Sequence, residues 1–312
     1  MKICFIGACG HTKQAYRYLK TRSDVELCGV APYSSDEGMT ASFAPEIPFF
    51  ADAEAMLDVV HPDLAVVSPV FGLTAEAITL AASKGVNVFA EKPIASSIAA
   101  LDRLEETVKS SGIAFSAMHY LRFSPDFYLG AQMVRRGEIG EIRMVTAQKS
   151  YRYGKRPVWY GDRDLYGGTI PWVGIHAIDW IYHFTGLPFE TVSALQIGKD
   201  PEMAALCQFT LQGGAIASVN LDFHRPKTAP THGDDRIRCV GTKGVLEICN
   251  GTIELINENG VTRYTPEDAP DLLGEFLDGR APLTAEEIFY LTRVALTARD
   301  AADRGETLRI GV

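Results

Sequence analysis

The first 118 residues alternate between two hydrophobic patterns, and this alternation leaves few folds open to the chain. Short apolar runs typical of buried strands occupy residues 3–6, 25–30, 64–67, 86–89 and 114–118. Patterns with helical spacing lie between them, at residues 15–19, 51–60, 74–83 and 98–109. Because strands that alternate with helices pair in parallel, this part is predicted to be an α/β, doubly wound parallel sheet.

The stretch at residues 86–94, with the sequence VNVFAEKPI, is predicted to lie at the centre of the functional site. Ligands of open parallel sheets bind outside the carboxyl ends of the strands, so Lys92 is expected to face that crevice rather than the core. Pro93 fixes its own φ and biases Lys92 toward extended conformations. An isolated EKP tripeptide is more often a surface lysine at a strand end, so the assignment depends on the motifs around it.

A glycine-containing turn follows the first strand and is the candidate phosphate site. Glycine lets a pyrophosphate approach the backbone N–H groups at the start of the next helix. Compared with the full G-x-G-x-x-G pattern, Cys9 and Thr12 replace two glycines and Gly10 is shifted by one position. The alternative is a tight turn without a ligand. The cofactor-binding residues predicted here are Gly7, Ala8, Cys9, Gly10, His11 and Thr12.

The end of the second strand leaves the choice between NAD and NADP open. An NAD site favours an acidic residue there for the ribose 2′-hydroxyl, but Asp36 comes several residues late. Ser34 or Ser35 would suit a 2′-phosphate, although no obvious arginine partner is near them in the sequence. Further residues at strand ends are predicted to contact the cofactor: Tyr33, Ser34, Ser68, Pro69, Glu91 and Lys92.

The pattern changes beyond about residue 120. A helical pattern at 127–136 precedes strand-like runs at residues 143–148, 191–197, 204–211, 215–223, 235–240, 244–249 and 251–256. Successive strands with short glycine turns predict a large, mostly antiparallel open sheet, and hence an α+β second domain. Helices are predicted at 171–184 and 285–304, the latter packing back near the domain junction. The predicted domains are residues 1–119 and 120–312.

Composition excludes several classes of function. The net charge of −9 argues against nucleic-acid binding, because the chain has no cationic excess to neutralise phosphates. The six cysteines are scattered without CxxC spacing, which is typical of reduced thiols in a cytoplasmic protein. No apolar run approaches the roughly 18 residues of a membrane-spanning helix, and no signal peptide precedes the first strand. A soluble, cytoplasmic protein without membrane partners is expected.

Motifs spread over most of the chain give it a resemblance to a known family. In order they are the turn at 7–10, AEKP at 90–93, RFSP at 122–125, GEIGEI at 137–142, and Gly-Gly at 167–168 leading into GIHAID at 174–179. EKP alone is weak, but EKP followed at these distances by GEIGEI and GxHxxD is specific. On these motifs the chain resembles the Gfo/Idh/MocA oxidoreductases, such as glucose–fructose oxidoreductase and inositol dehydrogenase.

The resemblance implies an N-terminal Rossmann domain that binds NAD or NADP. It also implies a C-terminal domain whose open sheet forms an oligomer interface, in a homodimer or homotetramer, and a small-molecule substrate: a sugar, cyclitol or sugar acid. If the family's functional residues correspond to the matching positions here, Lys92 would bind the reacting hydroxyl or the nicotinamide ribose. His176 would be the proton donor or acceptor at the substrate oxygen. The residue types agree, since imidazole titrates near neutral pH and lysine stabilises negative charge on oxygen.

One departure from the family pattern concerns the position four residues before the histidine. The family usually has an aspartate there, whereas this chain has Trp172. An indole accepts no proton, but it can stack on a sugar ring or block the site. Either His176 and Lys92 suffice, or another group replaces the carboxylate, for which Tyr153, Asp162 and Asp164 are the candidates. The third alternative is a reaction other than simple alcohol oxidation.

The loop at residues 151–164 is dense in aromatic and charged residues, a composition that suits a polar, ring-bearing ligand. Its arginines Arg152, Arg156 and Arg163 suit an acidic sugar but do not specify one. The alternative is an exposed connection or a subunit contact. The predicted substrate-binding residues are Tyr153, Trp159, Asp162, Arg163, Trp172, Asp179 and His119.

Several alternatives stay open at this point. Asp179 shares a helix face with His176 and either orients its imidazole or closes a helix cap or a buried hydrogen bond. His176, Asp179 and His183 form a helical stripe that could ligate a metal, but the flanking tryptophans favour packing, and no metal site is predicted. The function is predicted to be hydride transfer at a sugar or polyol carbon. The alternatives are a lyase or glycosidase-type enzyme with transient oxidation, and a non-catalytic dinucleotide-sensing regulator.

Overall fold

The computed structural model describes residues 1–34, 39–199 and 201–311, which divide into two compact units. Unit 1 comprises Met1–Met118, Asp164–Gly167 and Leu273–Thr292. Unit 2 comprises His119–Arg163, Gly168–Leu272 and Arg293–Val312. Each unit collects more than one stretch of chain, and the sequence division at residues 119 and 120 stays a prediction.

Unit 1 contains a five-stranded parallel sheet, which confirms the predicted doubly wound fold. Its strands are β1 (Lys2–Ile6), β2 (Glu26–Ala31), β3 (Leu64–Val67), β4 (Asn87–Ala90) and β5 (Phe115–Ala117), in the order β2-β1-β3-β4-β5. Its first four helices are α1 (Thr12–Leu19), α2 (Ala53–Val60), α3 (Thr74–Ser83) and α4 (Ile98–Ser111). Every residue of β3 is buried, because helices cover both faces of a parallel sheet.

Local signals fix where these helices begin and end. The side chain of Asp52 accepts a hydrogen bond from the backbone N–H of Ala55 at the start of α2. Ser97 does the same for Ala100 at the start of α4. Gly112 ends α4 with a left-handed backbone, a conformation that costs glycine little.

Unit 2 is built on a nine-stranded sheet, as the succession of strand patterns predicted. The strands are β6 (Ile142–Tyr151), β7 (Phe189–Gly198), β8 (Glu202–Leu211), β9 (Ile216–Asp222), β10 (Gly233–Gly241), β11 (Gly244–Cys249), β12 (Thr252–Asn257), β13 (Gly260–Tyr264) and β14 (Leu308–Arg309). Their order is β13-β12-β11-β10-β6-β9-β8-β7-β14. All neighbours pair antiparallel except β6 and β9.

The two faces of this sheet differ in polarity. Along β6, the buried residues Val145, Ala147 and Lys149 alternate with more exposed ones, as expected for a strand with one covered face. Helix α7 (Ile175–Thr185) carries mostly buried side chains, and α5 (Pro125–Arg135) buries Phe127, Ala131, Met133 and Val134. The opposite face exposes large apolar side chains on three strands: Leu195, Ile197, Leu206 and Ile216.

The helix predicted at residues 171–184 begins with a different geometry. Residues Ile170–Gly174 form a π-helix, and regular α7 follows it. A π-helical turn is rare and often occurs at functional sites. It lies directly before His176, the predicted catalytic residue.

The C-terminal helix, α9, has the predicted bounds, Ala285–Arg304. Thr284 and Glu287 form a reciprocal capping box at its start, in which each side chain accepts the other residue's backbone N–H. The sequence reading missed α8 (Leu272–Leu277), β13 and β14. It also missed α6 (Arg163–Tyr166), which is a single turn long.

Two further observations concern expectations drawn from composition. All six cysteines belong to the described residues and are free thiols. Among the helices of the described residues, none has both the length and the apolar character that crossing a bilayer requires.

Candidate active site

The glycine turn of unit 1 is tied to the ends of two neighbouring strands. The Gly7 N–H donates to the carbonyl of Ala31, and the Cys9 N–H donates to the carbonyl of Ser68, at 2.9 and 2.8 Å. Gly7 has a φ of +80°, and a Cβ there would lie 2.5 Å from the Cα of Pro69. Gly7 is therefore required both by its backbone conformation and by this close approach.

The second glycine of the turn lies beneath a carboxylate. A Cβ on Gly10 would come within 2.1 Å of Oε2 of Glu91. That oxygen accepts the backbone N–H of His11 at 2.5 Å, and His11 Nδ1 lies 2.9 Å from Oε1. The glycine that is shifted by one position from the usual pattern thus makes room for Glu91.

Glu91 also connects the turn to Lys92. Its Oε1 accepts the backbone N–H of Lys92 at 2.9 Å, and the Lys92 side chain is only 1% exposed. Burial raises the pKa of Glu91, but the charges of His11 and Lys92 outweigh it and hold the pKa below its usual value. Glu91 is therefore ionised, and Glu91, His11 and Lys92 form one cluster at the carboxyl ends of β1 and β4.

This cluster fits a dinucleotide. Gly10 is exposed and Ala8 and Cys9 are half-buried, so solvent reaches the turn. Helix α1 begins directly behind it with no acidic residue in its first turn, which suits an anion. The turn also lies beside β3, at the point where the strand order reverses and such sheets bind ligands.

Of the residues predicted to select NAD or NADP, the structure describes Tyr33 and Ser34. Tyr33 is half-buried, and burial, with a smaller contribution from Glu76, raises its pKa. Ser34 is exposed with a φ of +70°. Ser35 and Asp36 lie outside the described residues. Ser68 and Pro69 brace the turn, since the Ser68 hydroxyl donates to the carbonyl of Cys9 at 2.5 Å.

In unit 2, His176 lies at the start of α7 with its side chain 1% exposed. Trp172, in the preceding π-helix, is buried as well. A Cβ on Gly174 would lie 2.8 Å from the Leu221 side chain of β9, so the start of α7 packs closely on the sheet. Glycine at this position allows that close approach.

Asp179 is held by a buried ion pair. Its carboxylate accepts hydrogen bonds from Nε and a terminal nitrogen of Arg122, and its Oδ2 lies 3.3 Å from Nδ1 of His119. Burial opposes ionisation of Asp179, but Arg122 and then His119 outweigh it and hold its pKa well below the ordinary value. These contacts favour the buried hydrogen bond over the substrate contact predicted for Asp179 and His119.

His183 is the other histidine of α7. Burial and then the charge of Arg122 lower its pKa to about 3, so the ring is neutral at physiological pH. Its Nε2 is buried and makes no hydrogen bond within the described part of the chain. Among the described residues, no group of three or more His, Cys, Asp or Glu side chains is arranged to hold a metal ion.

The loop after β6 divides between the two units. Arg163 forms ion pairs with Glu202 and Asp303, and Glu202 also accepts the backbone N–H of Thr169 at 3.1 Å. These pairs favour a structural role for Arg163 rather than the predicted substrate contact. Residues Asp164–Gly167 belong to unit 1, so the candidate Asp164 is in a different unit from His176.

Aromatic rings line the unit 2 part of this loop. Tyr153 packs edge-on against Phe223 and Tyr160, with centroid distances of 5.2 and 6.4 Å. Trp159 packs on Tyr160 at 4.6 Å. Asp162 is exposed. Tyr153 and Trp159 thus share one aromatic cluster, and the backbone N–H of Asp162 donates to the carbonyl of Trp159 at 3.1 Å.

One buried charge was missed by the sequence reading. Lys149, on the covered face of β6, binds the carboxylate of Asp235 opposite it on β10. Burial lowers the pKa of Lys149 to about 8 despite the opposing effect of Asp235. The alternation of Val145, Ala147 and Lys149 was the available signal, because it assigns the lysine to the covered face.

Comparison with family models gives matches to both parts of the chain. Residues 1–119 match a model described as an oxidoreductase family with an NAD-binding Rossmann fold. Residues 130–247 match the model of the GFO/IDH/MocA C-terminal domain. Together these two models cover most of the sequence.

Solved structures and characterised proteins also resemble the chain. A Thermotoga maritima protein proposed to be an oxidoreductase is 35% identical, with a TM-score of 0.92, and the match covers 99% of this chain and all of that one. D-xylose 1-dehydrogenase (NADP(+)) 2 of Haloferax volcanii is 27% identical over 66% of this chain and 64% of its own length. 2,7-Anhydro-N-acetylneuraminate hydratase of Mediterraneibacter gnavus is 24% identical over 72% of this chain and 63% of its own length. The match therefore spans less than two thirds of either enzyme.

Proposed function

Because the chain belongs to the Gfo/Idh/MocA family of NAD(P)-binding oxidoreductases, we propose that it is an NAD(P)-dependent dehydrogenase of a sugar, cyclitol or sugar acid. In this proposal, Lys92 and His176 act on the substrate oxygen. The related Haloferax enzyme is named for the oxidation of a sugar with NADP⁺, which supports this class of substrate.

The observation that carries the proposal is the position of Glu91. Its carboxylate binds the N–H of His11 in the glycine turn and the N–H of Lys92, so the cofactor turn and the lysine form one structural element. A lysine whose backbone shares a carboxylate with the nucleotide turn supports a role for Lys92 in hydride transfer. A surface lysine would not be 1% exposed.

The chemistry asked of these residues is limited. The bound cofactor supplies the hydride acceptor. As the substrate carbon loses its hydride, His176 takes the proton of the hydroxyl group, leaving a carbonyl. The Lys92 ammonium stabilises the negative charge that develops on that oxygen. Trp172 accepts no proton, and we assign it to packing against the substrate ring.

The test separates cofactor binding from turnover. NAD and NADP are titrated into the purified protein by calorimetry, and sugars, cyclitols and sugar acids are then screened for reduction of the cofactor. Lys92→Ala and His176→Asn should each lower kcat by about 10²–10⁴-fold while the protein stays folded. The exposed Lys109→Ala is the matched control and should leave kcat unchanged. Full activity in both variants would contradict the assignment.

A second candidate function is supported by Trp172 and by the named activity of the Mediterraneibacter relative, a hydratase. We propose as this alternative an enzyme that oxidises its substrate transiently and returns the hydride, with addition or loss of a group as the net result. It would change the mass of the substrate without accumulating reduced cofactor. Mass spectrometry of the products beside absorbance at 340 nm distinguishes the two functions.

We also propose that the chain forms a homodimer or homotetramer through the exposed face of the unit 2 sheet. Leu195 and Leu206 lie opposite each other on β7 and β8 and are 70% and 53% exposed. Ile197 and Ile216 extend the same apolar area. Exposed apolar patches of this kind commonly mark protein interfaces.

A further inference from the structure

A group of basic side chains in unit 2 has no role in the function proposed above. Lys149 lies on the covered face of β6, Arg152 follows the end of that strand, and Arg156 lies in the next loop. The ring of His232 stacks on Tyr151 with 5.4 Å between centroids. The backbone N–H of Arg152 donates to the His232 carbonyl at 3.1 Å, which joins the two segments.

Four polar atoms around this group are buried and make no hydrogen bond within the described part of the chain. They are Nε of Arg152, Nε of Arg156, Nε1 of Trp180 and Oδ1 of Asp235. Buried polar atoms in folded proteins nearly always have a partner. We therefore expect a bound molecule or ordered water to satisfy them.

Positive charge exceeds negative charge here. Asp235 binds Lys149, whereas neither guanidinium, of Arg152 or of Arg156, forms an ion pair with the described residues. Asp126 also lies near Asp235, and burial raises its pKa, whereas the adjacent Asp234 pairs with Arg225 and Arg236. The pKa of His232 is consistent with this excess of positive charge, because burial and then the charges of both arginines lower it.

Aromatic rings surround these cations. The Arg156 guanidinium lies 5.3–5.8 Å from the ring centroids of Tyr153, Tyr160 and Phe223. The Lys149 ammonium lies 4.4 Å from the centroid of Tyr151 and 5.0 Å from that of Trp180. Aromatic faces pack well on sugar rings, and guanidinium groups bind carboxylates with two parallel hydrogen bonds.

The group lies beside His176 within unit 2. Trp180 follows His176 by one helical turn, so both point to the same side of α7. Gly174, at the start of α7, packs on Leu221, and Leu221 is the neighbour of Lys149 across β9 and β6. The start of α7 and Lys149 therefore lie on the same part of the sheet.

We propose that Lys149, Arg152 and Arg156 form an anion subsite that binds the carboxylate of a sugar acid, so that the substrates are uronic or aldonic acids rather than neutral sugars. The proposal rests on the proposed function for the placement of the reacting carbon near His176. The subsite determines specificity and takes no part in the hydride transfer.

Calorimetry with defined probes tests the subsite. D-glucuronate is compared with D-glucose, D-galacturonate with D-galactose, and D-gluconate with D-glucitol, each on the cofactor-saturated protein. At least one acid should bind about tenfold or more tightly than its neutral counterpart. Arg152→Gln and Arg156→Gln should each reduce that preference to about threefold or less. Lys155→Gln removes the same charge from an exposed position of the same loop and should leave the preference intact.

The outcomes are separable. The subsite is overturned if no acid binds more tightly than its neutral counterpart, or if the preference survives in every folded arginine variant. Two arginine variants are made so that one that fails to fold does not end the test. Acid-selective binding that both arginine variants abolish, without any reduction of NAD or NADP, would support the subsite and contradict the proposed dehydrogenase function.

Discussion

The carboxylate of Glu91 lies directly over Gly10, where any Cβ would come within 2.1 Å of Oε2. Glycine is therefore needed at position 10 because of a side chain far along the sequence. The left-handed backbone, with a φ of +57°, is a second reason. The relationship connects the EKP motif with the nucleotide turn and makes their joint disruption testable.

Gly10→Ala should weaken NAD(P) binding by about tenfold or more, because the added methyl group displaces Glu91 from His11. Gly85→Ala is the matched control, since Gly85 has a φ of +70° with open space around its Cβ position. Both variants bear the backbone cost of about 1–2 kcal/mol. Calorimetric titration and urea unfolding measure the two effects. Equal cofactor affinity in the two variants would contradict a link between Glu91 and the turn.

Asp179→Asn should destabilise the protein by about 3–5 kcal/mol, because it leaves the buried Arg122 charge uncompensated. Glu275→Gln, which breaks an exposed pair with Arg280, should have little effect on stability. Urea unfolding followed by circular dichroism measures both. A fall in kcat/KM without a loss of stability would instead identify Asp179 as a substrate ligand.

The free energy of unfolding should fall as the pH drops from about 6.5 toward 4. Burial lowers the pKa of His183 to about 3, so in this range the unfolded chain binds a proton that the folded chain does not. One such group contributes a slope of up to about 1.4 kcal/mol per pH unit. His183→Gln should reduce the slope by up to this amount, whereas the exposed His224→Gln should not. Identical slopes in the two variants would count against a neutral, buried His183.

Binding of a sugar acid should weaken as the pH rises above about 8. Burial lowers the pKa of Lys149 to about 8, so its charge is lost there, whereas arginine stays protonated. Lys149→Arg should therefore flatten the dependence of Kd on pH between 7 and 9.5. Lys149 faces Asp235, Tyr151 and His232. Asp126 lies near Asp235, and Arg152 and Arg156 lie near His232. An unchanged pH profile in Lys149→Arg would show that another group titrates.

Leu195→Glu combined with Leu206→Glu should shift the protein toward monomer in light scattering, because the two side chains adjoin on the exposed sheet face. Val59→Glu places the same charge on an exposed residue of α2 in unit 1 and is the control. A monomeric wild-type protein, or a double variant that assembles like the wild type, would exclude this face as the interface.

Much of the architecture was predictable because the local patterns are strong. Residues 64–67 are apolar throughout and form the fully buried β3, and α9 has the predicted bounds. β13 could not be predicted, because four of its five residues are exposed and show no alternation. β14 has only two residues and forms through its pairing with β7.

The EKP motif identified Lys92 as a candidate, and its role at the site stays a prediction. The contact between His11 and Glu91 joins residues 80 positions apart, and that between Lys149 and Asp235 joins residues 86 apart. The hydrophobic periodicity of a sequence does not indicate contacts between residues so far apart. A lysine within a strand is ordinarily assigned to solvent, because burying its charge is costly without a partner.

Unit 1 is built from segments that lie far apart in the sequence, and this affects its folding during synthesis. Phe89 and Phe115, in strands of the nucleotide-binding sheet, stack on Phe276 and Phe289, with centroid distances of 5.8 and 5.7 Å. A nascent chain that has reached only residue 118 lacks both covering rings. We expect such a chain to expose this apolar surface and to depend on chaperones until residues 273–292 emerge from the ribosome. Unit 1 therefore cannot complete its folding before residues 273–292 have been synthesised, although most of its sequence is translated first.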